Sequence, residues 1–177
     1  MQNCTEWAVI YLAIAGYGAT AVPFNSWWKT EELDYGIEHS EVKLIFVDTK
    51  RYELIKNHKI KKIVTEAIDG CTTYKEITSE TELNWPEANA SDEDLTVLLY
   101  TSGSTGKPKG VVHTNGGWLS GITHTMRTVF NANQDDCLYV IGDPGWITGQ
   151  SYLIAAPLAF GMSTVIAEGS PLFPHAG

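Results

Sequence analysis

The amino-acid sequence predicts an α/β fold with layers of parallel β-sheet. Up to about residue 65, short apolar segments rich in β-branched residues alternate with segments of helical periodicity, which is the pattern of parallel βαβ units. Further along, the apolar run 95–100 leads directly into a loop of Gly, Ser and Thr. A strand followed by such a loop is a place where α/β sheets hold anions.

Length, composition and charge exclude several classes of protein. The 177 residues suit one domain or part of one, and 44% apolar residues are too many for a disordered chain. The net charge of −9 argues against a general nucleic-acid binder, because a phosphate backbone would be repelled. The widely spaced Cys4, Cys71 and Cys137 match no disulfide or metal pattern, which favours a reducing, cytoplasmic setting. No apolar run is long enough to span a membrane.

The first part of the chain, residues 1–74, is predicted to form a βαβ lobe. Helix 5–15 should be capped by Thr5 and buried on nearly every side. In the turn at 25–28, Trp27 and Trp28 are interpreted as core packing, with a ligand platform as the alternative. The further predicted elements are strand 19–24, helix 30–39 with His39 serving its end, strand 42–47, helix 48–57 and strand 60–65.

An acidic connector, 75–94, is predicted to join this lobe to a second lobe at 95–177. The second lobe would carry both stretches that suggest a function. Its predicted elements after the loop are strand 111–113, helix 115–130, strand 137–141, helix 152–158 and strand 163–167. His113 and His124 have no further ligand at metal spacing, so we expect no metal site.

The loop between Tyr100 and Gly110 has the chemistry of a phosphate cradle. Its glycines allow positive φ, so that successive N–H groups can point at one oxyanion. Its spacing fits neither a Walker A loop, nor a dinucleotide fingerprint, nor a nucleophile elbow. The alternative is a flexible surface turn. The candidate phosphate-binding residues are Thr101, Ser102, Gly103, Ser104, Thr105 and Gly106, with Lys107 and Lys109 as the candidate catalytic charges.

A second informative stretch, 142–152, is a Gly/Pro turn at the end of a predicted strand that opens into a helix. Ligands bind at that edge of open α/β sheets. Trp146 and Ile147 can wall an acyl chain, and Thr148 offers a hydroxyl at the helix start. A turn built around a buried tryptophan is an equally good interpretation of the residues alone.

The motif from Tyr100 to Gly110 resembles, without interruption, the signature loop of the adenylate-forming superfamily, which includes acyl-CoA synthetases, luciferases and peptide-synthetase adenylation domains. Residues 111–118 are similar to the acetyl-CoA synthetase branch. So is 143–152, where Gln150 replaces the usual His. The resemblance implies ATP-dependent activation of a short-chain carboxylate to an acyl-adenylate and transfer to CoA. It also implies that the residues matching Ile147 and Thr148 line the small acyl pocket.

The resemblance covers essentially all of this chain but only part of the family's length. The family's adenine, ribose and magnesium motifs and its adenylate-forming lysine come later than anything present here. We therefore expect a fragment of the large N-terminal domain, inactive alone, with the ligands for Mg²⁺ outside it. The alternative is a non-catalytic nucleotide-binding fragment or pseudo-enzyme. Residues 3–48 lean toward medium- or long-chain acyl-CoA ligases, so the chain is either a divergent member or a join of two branches.

Overall fold

The computed structural model describes residues 1–79, 87, 90–101 and 106–168. The described helices are α1 Thr5–Gly16, α2 Thr30–Ser40, α3 Thr49–Ile55, α4 Tyr74–Thr78, α5 Asn115–Thr128 and α6 Ala156–Ala159, with a π-helix at Gly149–Ala155 leading into α6. The described strands are β1 Leu44–Val47, β2 Lys61–Val64, β3 Thr72–Thr73, β4 Leu95–Thr101, β5 Lys109–Thr114, β6 Cys137–Tyr139 and β7 Ser163–Val165. None of the described helices is both long enough and apolar enough to cross a membrane.

The first sheet has the order β1-β2-β3 with parallel pairing, which confirms the predicted βαβ units. Helix α3 makes the crossover from β1 to β2. It begins after Asp48, whose carboxylate accepts the Arg51 N–H at 2.9 Å. The helices pack on this sheet through a core of Leu33, Ile37, Val47, Ile55 and Val64.

A second core lies around α5, whose buried residues Trp118, Ile122 and Met126 recur every four positions along one face. The π-helix packs against that face through Leu153 and Ile154. The parallel pair β6–β7 flanks this core. The division into lobes at 1–74 and 95–177 stays a prediction, and α1 of the first segment packs in this second core.

Strands β4 and β5 pair antiparallel, with Tyr100 opposite Gly110 and Thr101 opposite Lys109. The predicted phosphate loop therefore closes a hairpin. On its other side β4 meets Ala21, whose N–H donates to the Thr96 carbonyl at 2.8 Å. The predicted strand 19–24 is reduced to this one bridge, and Pro23, two residues later, has no N–H with which to continue a ladder.

Two predictions about α1 are wrong. Cys4, not Thr5, occupies the N-cap, and no side chain caps the helix. The helix is also not buried on nearly every side, because Val9 is 47% exposed and Leu12 is 41% exposed. Only the face that carries Tyr11 packs on the second core, so an apolar composition did not imply burial all round.

Candidate functional site

The structure describes the two ends of the predicted phosphate loop. Thr101 is the last residue of β4 and Lys109 is the first of β5, and the Thr101 hydroxyl lies 3.5 Å from the Lys109 carbonyl. Gly106 has φ of +120°, a conformation that residues with a Cβ rarely adopt. The predicted phosphate ligands Ser102, Gly103, Ser104 and Thr105 lie outside the described residues.

Both candidate lysines of the loop are exposed. In the part of the chain that the structure describes, no carboxylate forms an ion pair with Lys107 or Lys109. The Lys107 ammonium instead lies over the ring of Tyr35, 5.0 Å from its centroid. Two exposed cations near the end of a hairpin, neither paired with a carboxylate among the described residues, fit the charge of a polyphosphate.

An aromatic cluster is formed by Tyr100, near the end of β4, and the rings packed against it, which are Phe24, Trp28, Tyr35 and His39. The Tyr100 ring is edge-on to Trp28 at 5.6 Å and tilted against Phe24 at 6.0 Å. His39 lies in the last turn of α2, but its Nδ1 shares a hydrogen bond of 2.8 Å with the Tyr100 hydroxyl. Burial raises the pKa of Tyr100, so the phenol stays protonated and able to donate.

The second stretch is organised by Asp143, which the sequence analysis did not single out. One carboxylate oxygen accepts the Gly145 N–H at 2.7 Å, and the other accepts the Ser26 hydroxyl. A Cβ on Gly145 would lie 2.6 Å from the Phe24 carbonyl oxygen. The turn at 25–28 and the turn at 142–145 therefore pack backbone against backbone. The sequence signal that could have pointed to Asp143 is an Asp immediately before Pro-Gly.

The three candidate acyl-pocket residues follow this turn and all are exposed. Trp146 is 56% exposed and Ile147 is 51% exposed, and Thr148 is exposed beside them at the start of the next helix. The alternative of a turn built around a buried tryptophan is therefore wrong. An apolar-lined cavity of about 140 Å³ lies elsewhere, between α1, residues 20–26 and β1, and none of the three residues lines it.

Gln150 occupies the position where the motif that this stretch resembles has a His. Its buried side chain holds the turn at 142–145. Its side chain is fully buried, and its amide nitrogen donates to the Pro144 carbonyl at 3.0 Å. Its Oε1 has no partner among the described residues. Behind it, a Cβ on Gly149 would lie 2.2 Å from the Asp143 carbonyl oxygen, so this position requires glycine.

Residues 24–28 contact both candidate stretches. Phe24 and Trp28 stack on one another at 5.5 Å, and both contact Tyr100 near the end of β4. The Ser26 hydroxyl donates a hydrogen bond to the Asp143 carboxylate in the stretch 142–152. Trp28 thus has the predicted packing role, whereas Trp27 is 70% exposed.

No group of three or more metal-ligating side chains occurs within 1–79, 87, 90–101 and 106–168. The described residues therefore offer hydroxyl, backbone and ammonium groups, but no cluster of ligands that could hold Mg²⁺ by itself.

The fold is that of acyl-CoA ligases of known structure. The chain superposes on the anthranilate CoA ligase AuaEII, determined in complex with anthranoyl-AMP, with a TM-score of 0.88 at 21% identity, covering 98% of this chain and 35% of that one. It superposes on an acyl-CoA synthetase from Brucella canis with a TM-score of 0.81 at 22% identity, covering 96% of this chain and 32% of that one. These likenesses confirm the predicted α/β fold.

Sequence comparison assigns the family. The model of the AMP-binding enzyme family matches residues 1–176, and the chain belongs to that family. It is 50% identical to acetyl-coenzyme A synthetase 2 of Eremothecium gossypii, over 100% of this chain and 29% of that protein. It is 33% identical to acetyl-coenzyme A synthetase of Pasteurella multocida, again over 100% of this chain and 29% of that protein. The chain thus spans less than a third of the length of these relatives.

Proposed function

We propose that this chain is part of an AMP-forming acyl-CoA synthetase. The enzyme would activate a short-chain carboxylate with ATP to an acyl-adenylate and then transfer the acyl group to CoA. The observation that carries the proposal is the hairpin loop with two lysines that no described carboxylate neutralises. The relatives named acetyl-coenzyme A synthetase support the short-chain substrate.

In this proposal, residues 101–109 orient the β- and γ-phosphates of ATP and the leaving pyrophosphate. Phosphoryl and adenylyl transfer depend mostly on positioning and on stabilisation of charge. Lys107 and Lys109 supply the positive charge, while hydroxyl and backbone N–H groups supply direction. Mg²⁺ would share the charge when bound with ATP, through ligands that lie outside this chain.

The carboxylate would bind at the turn that Asp143 and Gln150 hold. Trp146 and Ile147 present apolar surface there, and Thr148 presents a hydroxyl. Together these side chains offer an apolar wall and one hydroxyl to a ligand. Residues 24–28 contact both regions, because Ser26 donates a hydrogen bond to Asp143 and Phe24 packs against Tyr100.

The test is a graft of this chain into acetyl-coenzyme A synthetase 2 of Eremothecium gossypii, in place of the region that it matches at 50% identity. Acetate-dependent exchange of pyrophosphate with ATP measures adenylate formation, and release of acetyl-CoA from preformed acetyl-adenylate measures thioester formation. Lys107→Ala should slow the first reaction more than the second. The exposed Lys59 provides the matched control, since Lys59→Ala removes an equal charge far along the chain from the loop. Equal slowing of both half-reactions by Lys107→Ala would refute the assignment.

A second candidate is a nucleotide-binding fragment or pseudo-enzyme without catalytic activity. Titration of the chain with ATP, followed by the exchange assay, separates the two candidates. A binding fragment shows saturable ATP binding and no exchange in the graft.

A further inference from the structure

The ammonium of Lys107 rests on the face of an aromatic ring contributed by another part of the chain. Its Nζ lies 5.0 Å from the centroid of Tyr35, which belongs to helix α2. A cation within about 6 Å of a ring centroid is attracted by the negative face of the π-system. This contact joins a catalytic candidate of the predicted phosphate loop to a residue of α2.

The Tyr35 ring is held in place by its neighbours. It is tilted against His39 at 5.1 Å, one helical turn along α2, and edge-on to Tyr100 at 6.4 Å. The 2.8 Å hydrogen bond between His39 and Tyr100 fixes those two rings relative to each other. Tyr100 is in turn paired across the hairpin with Gly110. The face on which Lys107 rests is thus part of a packed cluster.

An aromatic ring face and a carboxylate differ in how much charge and how many N–H donors they leave free on the ammonium that they bind. A carboxylate would neutralise the ammonium and occupy its N–H donors, whereas an aromatic face attracts the cation and adds no formal charge. Lys107 is also exposed to solvent. It can therefore keep its charge and its donors directed toward an anion while its position is restricted.

We propose that Tyr35 is a positioning residue for Lys107. It holds the ammonium at the end of the hairpin loop, so that less side-chain freedom is lost when the ammonium meets a polyphosphate group. This inference rests on the proposed function for its ligand, the phosphates of ATP or pyrophosphate. The placement of Lys107 on the Tyr35 ring is independent of that ligand.

The placement is tested on the full chain without nucleotide. An aromatic face shifts the NMR signals of protons above it upfield, so the ε-methylene protons of Lys107 should be shifted upfield in the wild type. The shift should persist in Tyr35→Phe and disappear in Tyr35→Leu. Tyr17→Leu is the matched control, because Tyr17 is an exposed tyrosine on another part of the surface.

The consequence for binding is tested with inorganic pyrophosphate by calorimetry. A cation–π contact of about 0.5–1 kcal/mol corresponds to a loss of affinity of about two- to five-fold in Tyr35→Leu. Tyr35→Phe should bind like the wild type. In the Lys107→Met background, Tyr35→Leu should have no further effect. Should the leucine variant fail to fold, 3,4,5-trifluorophenylalanine at position 35 keeps the ring shape while weakening its negative face, and it should lower the affinity in the same direction.

Three results would overturn the inference. The first is the absence of a ring-current shift in the ε-methylene signals of Lys107 in the wild type. The second is a loss of affinity in Tyr35→Phe as large as that in Tyr35→Leu. The third is an equal loss of affinity on Tyr35→Leu in the Lys107→Met background. A wild-type chain that shows the upfield shift but does not bind pyrophosphate refutes the polyphosphate ligand and with it the proposed function. The two failures are therefore distinguishable.

Discussion

Replacing Gly149 by Ala is the sharpest test of how the candidate acyl-binding turn is held. A Cβ at this position would lie 2.2 Å from the Asp143 carbonyl oxygen, 2.7 Å from its carbonyl carbon and 3.0 Å from Pro144 Cα. All three are backbone atoms of the turn, so no side-chain rotation can relieve the clash. The turn must shift away from the π-helix if the variant is to fold.

Overpacking of a well-packed site costs about 1–3 kcal/mol, and the backbone character of the neighbours places Gly149→Ala at the upper end of that range. The matched control is Gly121→Ala. Gly121 lies in the middle of α5, and a Cβ there meets nothing within 4 Å. Alanine in an exposed helix interior is favoured over glycine by about 1 kcal/mol, so this variant should be stabilised.

Urea unfolding of the full chain measures both changes as differences in the free energy of unfolding. The expected result is opposite signs for two chemically identical substitutions. A free energy of unfolding of Gly149→Ala within about 0.5 kcal/mol of the wild-type value would contradict the tight packing of the turn. Changes that small are typical of substitutions at surface positions without close neighbours.

Three further predictions concern the same framework. Trp28→Ala should lower the free energy of unfolding by about 3 kcal/mol in urea, whereas Trp27→Ala, at a 70% exposed position, should change it by less than about 0.5 kcal/mol; similar costs would contradict the packing role of Trp28. Asp143→Ala removes the acceptor of the Gly145 N–H and should cost about 1–3 kcal/mol, seen as a lower thermal midpoint. Burial lowers the pKa of His113, so protonation favours the unfolded chain: its contribution to stability is present above the unfolded pKa, near 6.5, and is lost as pH falls below it. His113→Gln should weaken that pH dependence, measured by urea unfolding at several pH values; a profile unchanged by this substitution would refute the prediction.

Local patterns in the sequence predicted most helices and strands and both candidate stretches. Helix α2 and the β1–α3–β2 unit form at nearly the expected residues, because their periodicity and flanking residues are properties of neighbouring positions. The Gly/Ser/Thr/Lys loop could be found for the same reason, since its chemistry is concentrated in consecutive residues.

Other features were decided by contacts between residues far apart in the chain. The bond from Ser26 to Asp143 joins positions 117 residues apart, and no periodicity or motif signals such a pair. The same is true of the contact between the Lys107 ammonium and the Tyr35 ring. It is also true of segment 19–24, which forms a single bridge at Ala21 in place of the expected strand. The exposed apolar face of α1 belongs with them, because burial depends on which other elements pack against a helix and on which side. The sequence by itself thus determined the family, most of the elements and the candidate phosphate loop, whereas the tertiary structure determined which ring the loop lysine contacts and which residues hold the turn at 142–150 in place.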